Sequence, residues 1–294
     1  MGDIYALLTA VCWSFAVILF ELSSNKLNPL QINIIKNSFG VIGFIITIFI
    51  FDIPYPNFSN KNLVILAFSG FIGVGIADLF FLQSLKQIGS SLSAIVATVY
   101  APSVFIIAYI FFNEIITLNV YLGAFLVLGG IVVSTYDFPK QITSSQLFTG
   151  VLFGALAQVL TAASVLSVKP IMVDNPILWV ALIRFGVGLI SAIIFMTFNS
   201  GFKLIYVTFQ HGCRNIFLLG GSFFGTYLSV ILWLAGYKYT LAGRAAIYNQ
   251  LSTVLISIMA VYFLKDTLTV KKKIGILLSF VGAVIVTFDQ LFIF

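Results

Sequence analysis

The sequence predicts an all-α integral membrane protein with ten transmembrane helices in two inverted five-helix repeats. The first observation is composition: 61% of the 294 residues are hydrophobic and only 8% are charged, whereas a soluble domain carries roughly 25% charged residues. This number of charges is too small to cover a surface that faces water. A lipid bilayer is therefore the expected solvent. The other two observations are the lengths of the apolar runs and a duplication within the chain.

The apolar runs have the length that a membrane requires. A transmembrane helix needs about 20 mostly apolar residues, and short polar stretches such as SSNKLNP, KQIGSS and KPIMVDNP separate runs of that length. We place the polar residues between the seventh and eighth spans, which include His211 and Cys213, in a loop. The predicted spans are 4–22, 29–51, 62–85, 91–112, 118–136, 147–168, 176–198, 215–237, 241–264 and 274–293.

The second half of the chain repeats the pattern of the first. An offset of 152 residues aligns Gly73 with Gly225 and Gly130 with Gly282, and nearer the start of the chain the offset falls to about 147. We therefore assign residues 1–138 to the first repeat and 146–294 to the second. Because five is an odd number of spans, the second repeat enters the membrane from the opposite side. Inverted repeats are typical of secondary transporters, whose substrate binds near the midplane between the halves.

Several residues resemble those of a known family. Trp13, in ALLTAVCWSFAVILF, stands at a tryptophan position of its first helix, and SLSAIVATVYAPSVFIIAYIFFNEIIT has the small residues, Pro102 and Glu114 of its fourth. GRAAIYNQLSTVLISIMAVYFLKDTLT repeats this pattern with Asp266. The whole chain thus resembles the EamA branch of the drug/metabolite transporter superfamily. The resemblance implies transport of small metabolites such as amino acids, amines or nucleotide-sugars, often by export and without ATP hydrolysis.

Charged residues within the spans are the first candidates for a binding site, because a charge at the bilayer centre costs roughly 2.5–3.5 kcal/mol. Asp78 is the one acid predicted near the midplane, where it could carry a proton, bind an amine or pair with Lys36 or Arg184. Those two cations occupy approximately equivalent places in the halves, and either a structural role or substrate contact would explain them. Arg244 opens the ninth span with Tyr248 one turn later. Its guanidinium could bind a carboxylate or phosphate of the substrate. The alternative is that its side chain extends to the membrane surface.

Aromatic and amide side chains supply the remaining candidates. Aromatic residues make up 16% of the chain, and those within spans could stack on a flat or cationic substrate or simply pack. Gln158 lies mid-span in the sixth helix, and the resemblance implies that four of the aromatic residues line a cavity. The predicted substrate-binding residues are Trp13, Asp78, Tyr100, Gln158, Tyr227, Trp233, Arg244 and Tyr248, with Lys36 and Arg184 as further charges in the membrane.

The predicted function is secondary transport of a small amino-acid-like, amine or amphipathic metabolite by alternating access, in the direction of export. Two alternatives stay open. A nucleotide-sugar or phosphate-ester antiporter would need Lys36 and Arg184 to face the cavity, and a membrane scaffold or sensor would bind a ligand without moving it. We do not expect an enzyme, because an intramembrane aspartyl protease needs two membrane aspartates. The chain contains no G-x-x-x-x-G-K-[ST] motif that would indicate ATP hydrolysis.

The expected partners are a small-molecule substrate, the lipid bilayer and a coupled proton, with no nucleic acid, metal or cofactor. The net charge of +6 suits loops that meet anionic headgroups. We expect a multi-pass protein of the bacterial inner membrane that is a monomer or a weak dimer. The two indications of its orientation disagree. Lysine and arginine are more frequent on the side opposite the termini, which predicts external termini, whereas the resemblance implies cytoplasmic ones.

Overall fold

The computed structural model of the protein describes residues 1–112, 118–135, 142–239 and 242–292. Within these ranges all regular elements are helical, which agrees with the predicted all-α class. A 3-10 turn at Ala97–Val99 joins α4 to α5, and two π-helical segments, π1 (Gly70–Ala77) and π2 (Ser222–Leu228), continue α3 and α10. The α-helices are α1 Gly2–Ser24, α2 Pro29–Ile50, α3 Asn60–Ser69, α4 Asp78–Val96, α5 Tyr100–Phe112, α6 Leu118–Thr135, α7 Ser144–Asp174, α8 Ile177–Ser200, α9 Phe202–Gly212, α10 Ile216–Gly221, α11 Ser229–Tyr239, α12 Ala242–Leu264 and α13 Val270–Phe292.

Six helical stretches in the described part of the chain are long and apolar enough to cross a membrane. Large apolar side chains such as Phe49, Phe125 and Phe198 are exposed on the outer surface, where hydrocarbon rather than water would solvate them. Two shorter helices, Tyr121–Ser134 and Tyr248–Leu264, are also apolar. The six long stretches are Gly2–Ser24, Pro29–Ile50, Asn60–Ile107, Ser144–Asp174, Ile177–Ser200 and Ile216–Tyr239.

The longest of these stretches, Asn60–Ile107, reverses direction at Gly89. The backbone there has φ 74° and ψ 170°, a conformation that essentially only glycine adopts. On either side of the reversal, Ser84 Oγ and Ser93 Oγ lie 3.3 Å apart, whereas nine residues of continuous helix would span about 13 Å. The reversal falls in KQIGSS, where the sequence predicts a break between the third and fourth spans.

Helices α6 and α13 pack closely because glycines face each other across their interface. A Cβ atom at Gly130 would lie 2.7 Å from the carbonyl oxygen of Gly275, and one at Gly282 would lie 2.6 Å from that of Gly123. The absence of a side chain therefore lets the two backbones approach. Since Gly123 faces Gly282 and Gly130 faces Gly275, the two helices run antiparallel.

Two local predictions are wrong. Residues Phe202–Gly212 form helix α9, so His211 lies in a helix, whereas we predicted a loop. Cys213, also predicted in a loop, lies in the turn that follows the helix. The eleven residues are too short to cross a bilayer, so a search for spans of about 20 residues misses them. Helix α7 continues through Pro170 to Asp174, beyond the predicted end at 168. Proline is tolerated inside membrane helices when neighbouring groups satisfy the freed carbonyl.

Candidate functional site

A cavity lies inside the helical bundle and is lined by both halves of the chain. Its volume is about 180 Å³. Helices α1, α2, α4, α5, α7, α8, α11 and α12 contribute to its walls, together with both π-helical segments. Most of the wall surface is apolar, although about half of the lining residues have polar or charged side chains. An apolar pocket with polar groups that converge on it is typical of a small-molecule site.

The cavity brings together seven of the ten residues that the sequence singled out. These seven are Trp13, Lys36, Asp78, Tyr100, Gln158, Arg184 and Trp233. Tyr227 and Tyr248 are not part of the lining: the Tyr227 hydroxyl lies 2.6 Å from Thr47 Oγ1, and Tyr248 packs against the buried hydrophobic core. The side chain of Arg244 lies outside the described residues, and so does Glu114, one of the residues that carry the family resemblance.

The buried Lys36 in α2 forms an ion pair with the partly exposed Asp78 in α4. Lys36 is 5% exposed, and its Nζ lies 2.5 Å from Asp78 Oδ2. The same ammonium donates to Asn37 Oδ1 at 2.8 Å, and Asn37 in turn donates to Asn33 Oδ1 at 2.9 Å. Two of the three ammonium donors thus have partners, and the charge is balanced. The sequence left three roles open for Asp78: proton carrier, amine-binding group and salt-bridge partner. In the structure Asp78 forms a salt bridge with Lys36.

Arg184 in α8 is buried, and no described acid forms an ion pair with it. It is 2% exposed, and its Nη2 donates to Ser164 Oγ at 2.8 Å. The guanidinium carbon lies 5.9 Å from the ring centre of Trp233, within the range of a cation–π contact. Nε and Nη1 have no hydrogen-bond partner in the described part of the chain. The two buried cations of the cavity therefore differ in how their charges are compensated.

Ser164 holds the guanidinium of Arg184 in place. Its hydroxyl donates to the carbonyl oxygen of Ser69 at 2.9 Å, and the Ser69 hydroxyl donates to the carbonyl oxygen of Ser164 at 2.8 Å. This reciprocal pair ties α7 to α3 beside the cavity. A Cβ atom at Gly73 would lie 2.1 Å from Ser164 Oγ and 3.4 Å from Arg184 Nη2. Glycine at position 73 therefore leaves room for both side chains.

The two π-helical segments place glycines at the cavity. π1 and π2 begin 152 residues apart, at Gly70 and Ser222, which is the offset of the sequence repeat. Gly73 and Gly225 lie within them at the same offset, and both line the cavity. π-Helical turns are rare and occur frequently at functional sites.

Sequence reasoning missed most of the neutral polar lining. Asn249 and Gln250 lie at the polar start of the ninth predicted span, and the structure brings both to the cavity. Hydroxyl residues give no comparable signal, because serine and threonine in membrane helices commonly bond to their own backbone, as Thr9 does to the Tyr5 carbonyl. The missed lining residues are the hydroxyl residues Thr9, Thr161, Thr226, Ser229, Ser252 and Thr253.

Apolar helices of bilayer length around a cavity that holds buried charges define a multi-pass integral membrane protein of the transporter class. The chain belongs to the EamA-like transporter family, whose model matches residues 1–136 and 148–288. The resemblance to the drug/metabolite transporters is thereby confirmed. A transporter of this kind sits in a lipid bilayer, binds a small-molecule substrate and is usually not an enzyme.

Two curated relatives are similar to this chain. An uncharacterized transporter of Archaeoglobus fulgidus is 22% identical over 274 residues, which cover 92% of each chain. The uncharacterized transporter YoaV of Bacillus subtilis is 25% identical over 142 residues, which cover 48% of each chain. A solved structure described as "Crystal structure of protein" has a TM-score of 0.69 and 15% identity, and covers 99% of this chain and 98% of its own. At that identity the likeness concerns the fold alone.

Proposed function

We propose that this protein is a secondary transporter that moves a small amphipathic metabolite by alternating access. Ten membrane spans form two inverted five-helix halves, and the substrate binds in the cavity between them near the midplane. The observation that carries this proposal is a set of helix contacts that repeat between the halves. Rocking of one half against the other around such a cavity is how inverted-repeat carriers alternate access.

The contacts repeat in matched pairs. Gly73 packs against Ser164, and Gly225 packs against Ala16. Gly225 corresponds to Gly73 at an offset of 152 residues, and Ser164 corresponds to Ala16 at an offset of 148. The two contacts therefore join equivalent positions, with the glycine in the first half in one contact and in the second half in the other. The same offsets relate the contact between Gly40 and Thr226 to the contact between Gly188 and Val74.

The α6–α13 pair supports the inversion. At the 152-residue offset Gly123 corresponds to Gly275 and Gly130 to Gly282, so α6 and α13 are equivalent helices of the two halves. They run antiparallel across their glycine interface. In an inverted repeat, equivalent helices of the two halves run in opposite directions. By this proposal the membrane is the bacterial inner membrane, and export is coupled to a proton.

A phosphate-ester or nucleotide-sugar antiporter is the second candidate, because Lys36 and Arg184 both line the cavity as that function requires. Two observations favour the first candidate instead. Lys36 is already paired with Asp78, which leaves Arg184 as the unbalanced cation of the described lining, whereas a phosphate ester would use more than one. The volume of about 180 Å³ is also below the roughly 300–1,000 Å³ of pockets for drug-sized ligands.

Counterflow in proteoliposomes tests the transport function. Vesicles that contain the purified protein are loaded with an unlabelled amino acid, amine, organic acid or nucleotide-sugar, and uptake of the labelled compound is measured. We expect saturable accumulation for at least one small amphipathic class and none in protein-free vesicles. Saturable binding without flux for every class would support a sensor instead. Counterflow with nucleotide-sugars alone would support the antiporter.

A further inference from the structure

We infer that Arg184 binds the carboxylate of the transported molecule, and that the cavity accepts amphipathic monocarboxylates in preference to amines and zwitterions. The inference rests on the proposed transport function and names the substrate class of the same cavity. It follows from the unused donors of Arg184, the charge of the lining, and the apolar surface next to the guanidinium.

The guanidinium of Arg184 has unused donors in a buried place. Of its nitrogen atoms, Nη2 bonds to Ser164 Oγ, while Nε and Nη1 lack partners among the described residues. A buried cation without a counter-ion is unfavourable, and membrane proteins retain one mainly where it serves function. A ligand that supplies negative oxygens would satisfy both the charge and the donors. Carboxylates match guanidinium groups in shape and charge.

The charges of the lining favour a single negative charge on the ligand. The charged residues among the described lining are Lys36, Asp78 and Arg184. Lys36 and Asp78 neutralise each other at 2.5 Å, so one positive charge remains, on Arg184. A monoanion brings the cavity to neutrality. A zwitterion would leave the excess charge in place, and an amine would increase it.

No described acid inside the cavity can take the place of that ligand. Asp78 is the acidic residue of the described lining, and it is engaged by Lys36. In the second half, an offset of 152 from Asp78 leads to Val230, which also lines the cavity. The apolar side chain at this position leaves Arg184 without the fixed counter-ion that Lys36 has.

The surface beside Arg184 could bind the apolar part of a ligand whose carboxylate contacts the guanidinium. Trp233 lies 5.9 Å from the guanidinium carbon, and Trp13, Tyr100 and Phe185 add aromatic surface to the same lining. Aromatic side chains bind flat or apolar groups through large contact areas. Because Ser164 fixes the guanidinium, the site is organised before the ligand arrives.

Three compounds with the same aromatic body test the inference: 3-phenylpropanoate, phenylalanine and phenethylamine carry net charges of −1, 0 and +1. Binding to the full-length protein in detergent is measured by calorimetry and thermal shift, and flux is measured in proteoliposomes. We expect the order 3-phenylpropanoate, phenylalanine, phenethylamine in decreasing affinity. We expect Arg184→Met to weaken 3-phenylpropanoate binding at least tenfold. Lys238→Met, which removes a cation that bonds to the Asn175 carbonyl outside the cavity, should leave it unchanged.

A second pair of variants keeps the test independent of the folding of Arg184→Met. Val230→Asp places a carboxylate where the first half has Asp78, and this carboxylate should compete for Arg184 and abolish 3-phenylpropanoate binding. Val230→Asn has the size of Val230→Asp without its charge, and it should weaken 3-phenylpropanoate binding at least tenfold less than Val230→Asp does.

The outcomes separate the two proposals. Binding of 3-phenylpropanoate that depends on Arg184 but produces no flux would support the carboxylate site and contradict transport. Flux of phenethylamine with no binding of the acid would support transport and overturn the carboxylate site. The site is also overturned if 3-phenylpropanoate fails to bind, if inorganic phosphate binds in its place, or if Arg184→Met and Val230→Asp both bind it with the wild-type affinity.

Discussion

Lys36 and Arg184 lie at corresponding depths in α2 and α8, yet their surroundings differ. Lys36 has an acid at 2.5 Å, whereas Arg184 has a serine hydroxyl at 2.8 Å and two nitrogen atoms without described partners. The residue that corresponds to Asp78 in the second half is Val230. The glycine packing contacts around the two cations repeat between the halves, and the compensation of their charges does not.

The difference separates a structural charge from an available one. A buried ion pair with good geometry is locked, because removal of one member leaves the other unpaired in a medium of low dielectric constant. A buried cation without a fixed partner can instead change its partner as a ligand enters and leaves. The packing contacts repeat between the halves, and among the described lining residues it is the second half that holds a charge without a fixed partner.

The largest expected effect comes from breaking the ion pair of the first half. Asp78→Asn should lower the free energy of unfolding by about 3–5 kcal/mol, because Lys36 would remain buried without a counter-ion. Denaturation of the purified protein in detergent measures this loss. The double variant Lys36→Met/Asp78→Leu, in which neither charge remains, should be more stable than Asp78→Asn. A single variant as stable as the wild type would mean that the pair is not locked.

Intermediate effects are expected from the glycines near the two cations. A Cβ atom at Gly40 would lie 2.7 Å from Thr226 Cγ2, and one at Gly188 would lie 2.6 Å from Val74 Cβ. Gly40→Ala and Gly188→Ala should each lower the free energy of unfolding by about 1–3 kcal/mol, as overpacking does. Gly186 has no neighbour within 4 Å of a built Cβ, so Gly186→Ala is the matched control.

The outcome for these glycines tests whether the halves are packed alike. Gly186→Ala should be neutral or stabilising, because alanine favours a helix over glycine by up to about 1 kcal/mol. Similar losses at Gly40 and Gly188 would agree with equal packing in the two halves. A loss at one glycine only would show that the repeated contacts differ in strength.

The smallest effect on stability is expected at Arg184. In the ligand-free protein, Arg184→Met should change the free energy of unfolding by less than about 1 kcal/mol. The loss of the Ser164 hydrogen bond, worth about 1 kcal/mol, is offset by removal of an uncompensated buried charge. The same denaturation measurement applies. A loss as large as that of Asp78→Asn would show that Arg184 has a strong internal partner, and the argument for a ligand at this position would then fail.

The membrane class and the family follow from local properties of the sequence. Span-length apolar runs, the low content of charge and the residues around Trp13 and Pro102 are visible along the chain, because hydrophobic burial in lipid depends on composition over about 20 residues. The break at Gly89 is also visible in the sequence, because the polar residues and the glycine of KQIGSS interrupt an apolar run. Helix α9 was not predicted, because a criterion of about 20 apolar residues does not detect a helix of eleven residues.

The partners of the buried charges were decided only by the tertiary structure. The sequence singled out Lys36, Asp78 and Arg184 but left open which cation would pair with the acid, because this choice depends on how α2, α4 and α8 are rotated about their axes. Lys36 and Asp78 are 42 residues apart, so no local pattern relates them. Tyr227 illustrates the same limit: its position within an apolar span is evident from the sequence, but packing turned its hydroxyl toward Thr47 and away from the cavity.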